Sequence, residues 1–136
     1  MLLSLPLILS ALGAQSGADL YHIDGQYTNG ALGGAIAAIE DLTGDGINEI
    51  LIGGERYSSS ASTLLVSGAD GSLLHSFGTP PHGEAVADCG DVNGDGVHDV
   101  IIGDIFAPAT PIKAGKAWVY SGAAPYGLIY EFVGTQ

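Results

Sequence analysis

The chain is poor in positive charge. Among 136 residues only Arg56, Lys113 and Lys116 are basic, against fifteen Asp and Glu, for a net charge of −12 at pH 7. That balance argues against nucleic acid or an anionic membrane as partner, because both need cationic patches. Cysteine is nearly absent: Cys89 stands alone, so no internal disulfide can form. A lone Cys in an apolar run reads as a small buried hydrophobe rather than a reactive thiol. Catalytic signatures are also missing. The sequence holds no nucleophile elbow, no zinc-spaced His pair and no phosphate loop. His22, His75, His82 and His98 are scattered and read as satisfied or exposed. The run Ser58–Ser60 reads as flexible surface. The chain is therefore expected not to be an enzyme.

No apolar run is long enough to cross a bilayer as a mature helix. The first residues come nearest: Leu2 to Leu12 is apolar, and small residues follow at Gly13, Ala14 and Ser16. This fits the apolar region and cleavage site of a secretory signal, although no Lys or Arg precedes it. The alternative is a buried strand of a chain that begins mid-repeat. Residues 1–15 are expected to be a signal peptide, which places the mature chain outside the cell or on its surface with no membrane span.

Other features point to an ordered β-rich fold. Apolar residues make up 46% of the chain, in Ile/Leu/Val runs that rule out disorder. The 22 glycines suit short strands joined by tight turns. Two acidic stretches stand out: Asp41 to Glu49 reads DLTGDGINE, and Asp91 to Asp99 reads DVNGDGVHD. Each places oxygen-bearing side chains at positions 1, 3, 5 and 9 around a Gly at position 6. Such a loop wraps a hard cation, and Ca²⁺ takes about 6–8 oxygens, including the backbone carbonyl at position 7. The ligand sets are Asp41, Thr43, Asp45, the Ile47 carbonyl and Glu49 in one loop. In the other they are Asp91, Asn93, Asp95, the Val97 carbonyl and Asp99. Two bound Ca²⁺ would bring the net charge from −12 to −8. A turn rich in Asn, Asp and Gly is the plain alternative, but it does not require acids at alternating places in two copies.

The two loops belong to a longer repeat. Leu32 to Gly54 aligns with His82 to Asp104 without a gap, at an offset of fifty residues. A second signature recurs as Ser67-Gly68-Ala69-Asp70, Ser121-Gly122-Ala123-Ala124 and Ser16-Gly17-Ala18-Asp19, each followed by an apolar run. A period of fifty is in the range of arrays and propellers. Each full repeat reads as four short strands. The first repeat gives Ala35–Ile39, Glu49–Ile52, Thr63–Val66 and Leu73–Phe77. The second gives strands near Ala85–Cys89, Asp99–Ile102, Ala117–Tyr120 and Gly127–Val133.

Four strands per repeat, with a nine-residue acidic loop between the first two, resemble the FG-GAP repeat of integrin alpha-chain propellers. The resemblance covers Ser16 to Val133, although the naming motif is altered to Leu32-Gly33 and His82-Gly83. It implies an all-β partial propeller: blade 1 over residues 31–80, blade 2 over 81–136, and the outer hairpin of a third blade over 16–30. It also implies Ca²⁺ in the acidic loops and a role in adhesion or protein recognition, with a protein or extracellular matrix ligand. Too few blades to close a ring suggest self-association. Two alternatives stand beside this. One is a non-catalytic propeller part of a larger secreted hydrolase or lyase. The other is a dockerin-like cohesin-binding module, which would need a helix after Asp99. An EF-hand is rejected, because position 12 is Ile52 or Ile102 instead of Glu.

Overall fold

The computed structural model describes residues 20–25, 31–54, 63–78, 82–107 and 114–135. These residues carry eight strands and no helix. The strands are β1 (Ala35–Ile39), β2 (Glu49–Gly53), β3 (Thr63–Val66), β4 (Leu73–Phe77), β5 (Ala85–Gly90), β6 (Asp99–Asp104), β7 (Lys116–Tyr120) and β8 (Leu128–Val133). They form two antiparallel sheets of four strands, in the orders β1-β2-β3-β4 and β5-β6-β7-β8. The architecture is the expected all-β one: two blades of a partial propeller, each an open sheet. Strand β6 begins at Asp99, where a dockerin would begin a helix, and this excludes that reading. The expected signal peptide and the serine run Ser58–Ser60 lie outside the described residues. Of the expected outer hairpin only residues 20–25 are described, and they carry no strand.

Side chains on a strand alternate between the two faces of the sheet. The central strands β2 and β6 are apolar on both faces because both faces are needed. The blade 1 face that carries Leu51 and Leu65 looks toward blade 2, and the blade 2 face that carries Val100 and Ile102 looks back at it. The core therefore lies between the sheets. Ile39, Leu51, Leu65 and Phe77 of blade 1 meet Val100 and Ile102 of blade 2. Leu42, Leu74, Val86, Tyr120 and Tyr126 pack around them. The Phe77 ring lies 4.9 Å from that of Tyr120, and His75 stacks on Tyr126 at 4.5 Å. Burial among these rings lowers the pKa of His75.

At the inner end of the interface the two backbones touch. A Cβ on Gly53 would stand 2.3 Å from the carbonyl oxygen of Gly83, so no side chain fits there. Next to it the Gly54 N–H donates to the His82 carbonyl at 2.9 Å and ties blade 1 to blade 2. Strand β5 lies against both β1 and β2.

The two blades differ at one register point. Ile39 pairs directly with Glu49, whereas the β5–β6 register shifts between Asp88 and Gly90, so that Gly90 pairs with Asp99. The extra residue is Cys89, and a bulge residue is turned out of the ladder. Cys89, read from sequence as a small buried hydrophobe, is half-buried, and burial with the nearby charge of Asp99 raises its thiol pKa. The reading as an unreactive thiol is consistent with that shift.

Phe77 is 1% exposed, whereas Phe132, its counterpart by strand register, is 55% exposed. Truncation of Phe77 to Ala should cost about 3–5 kcal/mol, as for a buried ring. Phe132→Ala should cost less than about 0.5 kcal/mol, as for a surface site. Urea unfolding of the two variants checks this. Equal losses would mean that the interface between the blades is not the core.

Candidate metal centres

The acidic loops connect β1 to β2 and β5 to β6, at the same end of each blade. Their shape is set by glycine. Gly44 and Gly46 in the first loop and Gly94 and Gly96 in the second all have positive φ, between 79° and 89°. This left-handed backbone turns successive N–H groups inward, toward one carboxylate. In the first loop Asp41 Oδ1 accepts from the N–H groups of Thr43, Gly44 and Asp45, and Oδ2 accepts from Gly46 at 2.7 Å. In the second loop Asp91 accepts from Gly94, Asp95 and Gly96 at 2.6–3.1 Å. These bonds favour the ionised form. The Gly46 N–H leads in lowering the pKa of Asp41, and the Gly96 N–H leads for Asp91.

The other ligand positions are placed as follows. Asp45 Oδ1 accepts from the Ile47 N–H at 2.8 Å, and Asp95 Oδ1 accepts from the Val97 N–H at 2.9 Å. The Thr43 hydroxyl lies 3.4 Å from Asp41 Oδ1. The Asn93 amide donates to Asp95 Oδ2 at 2.8 Å, and the Ser121 hydroxyl approaches the same oxygen at 3.4 Å. Glu49 and Asp99 are buried at the loop ends. Each folds back on its loop: Glu49 Oε2 accepts from the Leu42 N–H at 2.9 Å, and Asp99 Oδ2 accepts from the Val92 N–H at 2.8 Å.

The second oxygens of these buried acids differ. Asp99 Oδ1 accepts from the Gly122 N–H at 3.2 Å. Glu49 Oε1 is buried and has no hydrogen-bond partner. A buried carboxylate oxygen without a partner is costly, and a cation is one way to satisfy it. The donor set of each loop, three carboxylates with hydroxyl or amide and carbonyl oxygens, suits a hard cation such as Ca²⁺. Among the described residues, however, no three His, Cys, Asp or Glu side chains stand together as a metal cluster. The N–H groups of the loops take up the carboxylates of Asp41 and Asp91 instead.

A neighbouring cluster was not foreseen. His98 Nδ1 bonds to Asp88 at 2.9–3.0 Å, and its Nε2 pairs with Glu40. Asp88 Oδ2 also accepts from the Glu40 N–H at 3.2 Å. Glu40 follows β1 and Asp88 lies in β5, so this histidine joins the two blades beside the second loop. The Asp88 hydrogen bond raises the pKa of His98. Burial works to raise the pKa of Asp88, but the Gly90 N–H and His98 outweigh it and lower the value. Sequence offered little signal for this cluster, because Ala38 and Asn48 hold the corresponding places in blade 1. His82 is satisfied as well, bonding the buried Asp104 at 2.9 Å.

Residues 41–102 match the family model described as FG-GAP-like repeat. The match begins at the first residue of the first loop and ends in β6. No curated protein matches the chain at a significant level.

Replacing Gly96 with Ala should destabilise the fold by roughly 1–2 kcal/mol, since an L-residue pays that much in the left-handed region. Open space surrounds this glycine, so the loss is conformational and not a clash. Asn tolerates the region better, so Gly96→Asn should recover part of the loss in denaturant unfolding. Equal losses for Ala and Asn would contradict a backbone cause.

Proposed function

Since residues 41–102 carry an FG-GAP-like repeat, we propose that the protein is a non-catalytic, Ca²⁺-stabilised propeller module. In this reading it is secreted or held at the cell surface and recognises a protein or extracellular matrix ligand. No helix among the described residues is long and apolar enough to cross a membrane. The observation that carries the metal reading is the unpartnered, buried Glu49 Oε1 in a loop whose layout is repeated fifty residues later. Asp41, Thr43, Asp45, the Ile47 carbonyl and Glu49 would hold one ion. Asp91, Asn93, Asp95, the Val97 carbonyl and Asp99 would hold the other. The ion supplies positive charge that draws the carboxylates together and fixes the turn between the first two strands of each blade. The chain's own residues do the rest: Asp41 and Asp91 organise the loop amides, and Glu49 and Asp99 anchor the loop ends.

The second loop is the stronger site in this reading. Ca²⁺ affinity follows ligand charge and site rigidity, and both loops offer three carboxylates. Asp95 is braced by Asn93 and approached by Ser121, whereas Thr43 presents only a hydroxyl near Asp41. A ligand that binds only the folded state adds about 2.7 kcal/mol at a hundredfold excess over its Kd. Thermal unfolding in millimolar Ca²⁺ should therefore occur at a higher temperature than in chelator. Asp95→Ala should remove more of that difference than Asp45→Ala. A wild-type Tm indifferent to Ca²⁺ would refute the metal reading, and the reverse order of the mutants would refute the ranking.

A further inference from the structure

The two acidic loops are joined to each other at two places on the boundary between the blades. One is Gly122, in the turn between β7 and β8. Its N–H donates to Asp99 Oδ1, on the last acid of the second loop, at 3.2 Å. A Cβ on Gly122 would run into the His98 carbonyl of that loop and stand 3.1 Å from the Leu42 side chain of the first loop. Leu42 in turn donates its N–H to Glu49 Oε2, on the last acid of the first loop, at 2.9 Å. A short path therefore links the two loop-end acids through Leu42 and Gly122. Gly68, the counterpart of Gly122 in blade 1, has Asn48 and Ile47 of its own loop as nearest neighbours.

The other place is His98. Its Nδ1 bonds to Asp88 at 2.9–3.0 Å, and its Nε2 pairs with Glu40. Glu40 is the residue before Asp41, and His98 is the residue before Asp99. Asp88 also accepts from the Glu40 N–H at 3.2 Å. The start of the first loop is thus tied to the end of the second by polar contacts that do not involve Leu42 or Gly122.

We propose that the two Ca²⁺ sites are coupled across the blade boundary, so that filling one raises the affinity of the other. The proposal rests on the metal reading above. Its physical cause is shared order. Fixing Asp99 and His98 around one ion also fixes Gly122 and Glu40, against which the first loop is held. The entropy lost in ordering these groups is then lost once, at the first ion, and the second binds a loop already in place. The coupling is reciprocal, as binding linkage requires. Repulsion between the two cations acts the other way. It is offset by the chain's own charge, which goes from −12 to −10 on binding one ion, so the second still enters a negative field.

Calorimetric titration of the full chain with Ca²⁺ tests this. Asp95→Ala disables the second loop and leaves the first to bind alone. In the wild type the weaker, second ion enters the first loop with the second loop filled. It should bind roughly fivefold or more tightly than the single ion of Asp95→Ala, the lower end of usual allosteric couplings. Glu40→Ala with Leu42→Ala, placed in both proteins, should bring the two affinities together while two ions still bind the chain with Asp95 intact. Because Leu42 packs on the core, Glu40→Ala alone, at a side chain 61% exposed, should remove part of the difference with an unchanged circular dichroism spectrum. Equal affinities without these substitutions, a looser second ion, or a difference that the double substitution leaves untouched would each overturn the proposal. Two ions bound independently would overturn the coupling and leave the proposed function standing, whereas a chain that takes up no Ca²⁺ would overturn both.

Discussion

Two backbones meeting without side chains between them set the spacing of the whole molecule. The contact of Gly53 with the Gly83 carbonyl sets the end of β2 against the chain that leads into β5. Everything farther out follows from that closeness. Leu51 and Leu65 can reach Val100 and Ile102, and Phe77 can lie among Tyr120 and Tyr126. A four-stranded sheet alone is one layer with no interior, and a sheet must bury an apolar face against another element. Stacking neighbours is how repeat proteins make a continuous core from units that cannot bury their own faces.

The acidic loops are joined to this interface. Leu42, at position 2 of the first loop, packs on the core and would stand 3.1 Å from a Cβ on Gly122 of blade 2. His98, at position 8 of the second loop, reaches Asp88 and Glu40 across the boundary between the blades. An ion that stiffens either loop would therefore also hold residues that join the blades. That couples the proposed metal role to stability without requiring the metal to touch a ligand.

Much of the fold was legible because the repeat states it twice. Short apolar runs in two aligned repeats marked all eight strands, with ends displaced by one or two residues, as at Gly53 and Asp104. The acidic loops were visible for the same reason, since Asp and Gly recur at the same offsets in two copies fifty residues apart. What was not legible depends on contacts between blades or on departures from the repeat. Cys89 aligns with the buried Ile39, yet a bulge turns it partly outward. His98 gained its role from Asp88 and Glu40, ten and fifty-eight residues away in sequence. Glu49 and Asp99 hold equivalent places in the sequence, and only the folded loops reveal that one buried oxygen has a partner and the other has none.

A shared core between two sheets that cannot bury their own faces makes the two blades one cooperative unit. Native-state hydrogen exchange at the Gly54 amide tests it most directly, since that N–H donates across the boundary to His82. In a single cooperative unit this amide exchanges only by global unfolding, with the same free energy as the central amides of β2 and β6. Fast exchange at Gly54, or separate opening energies for β2 and β6, would contradict the account and make the blades independent.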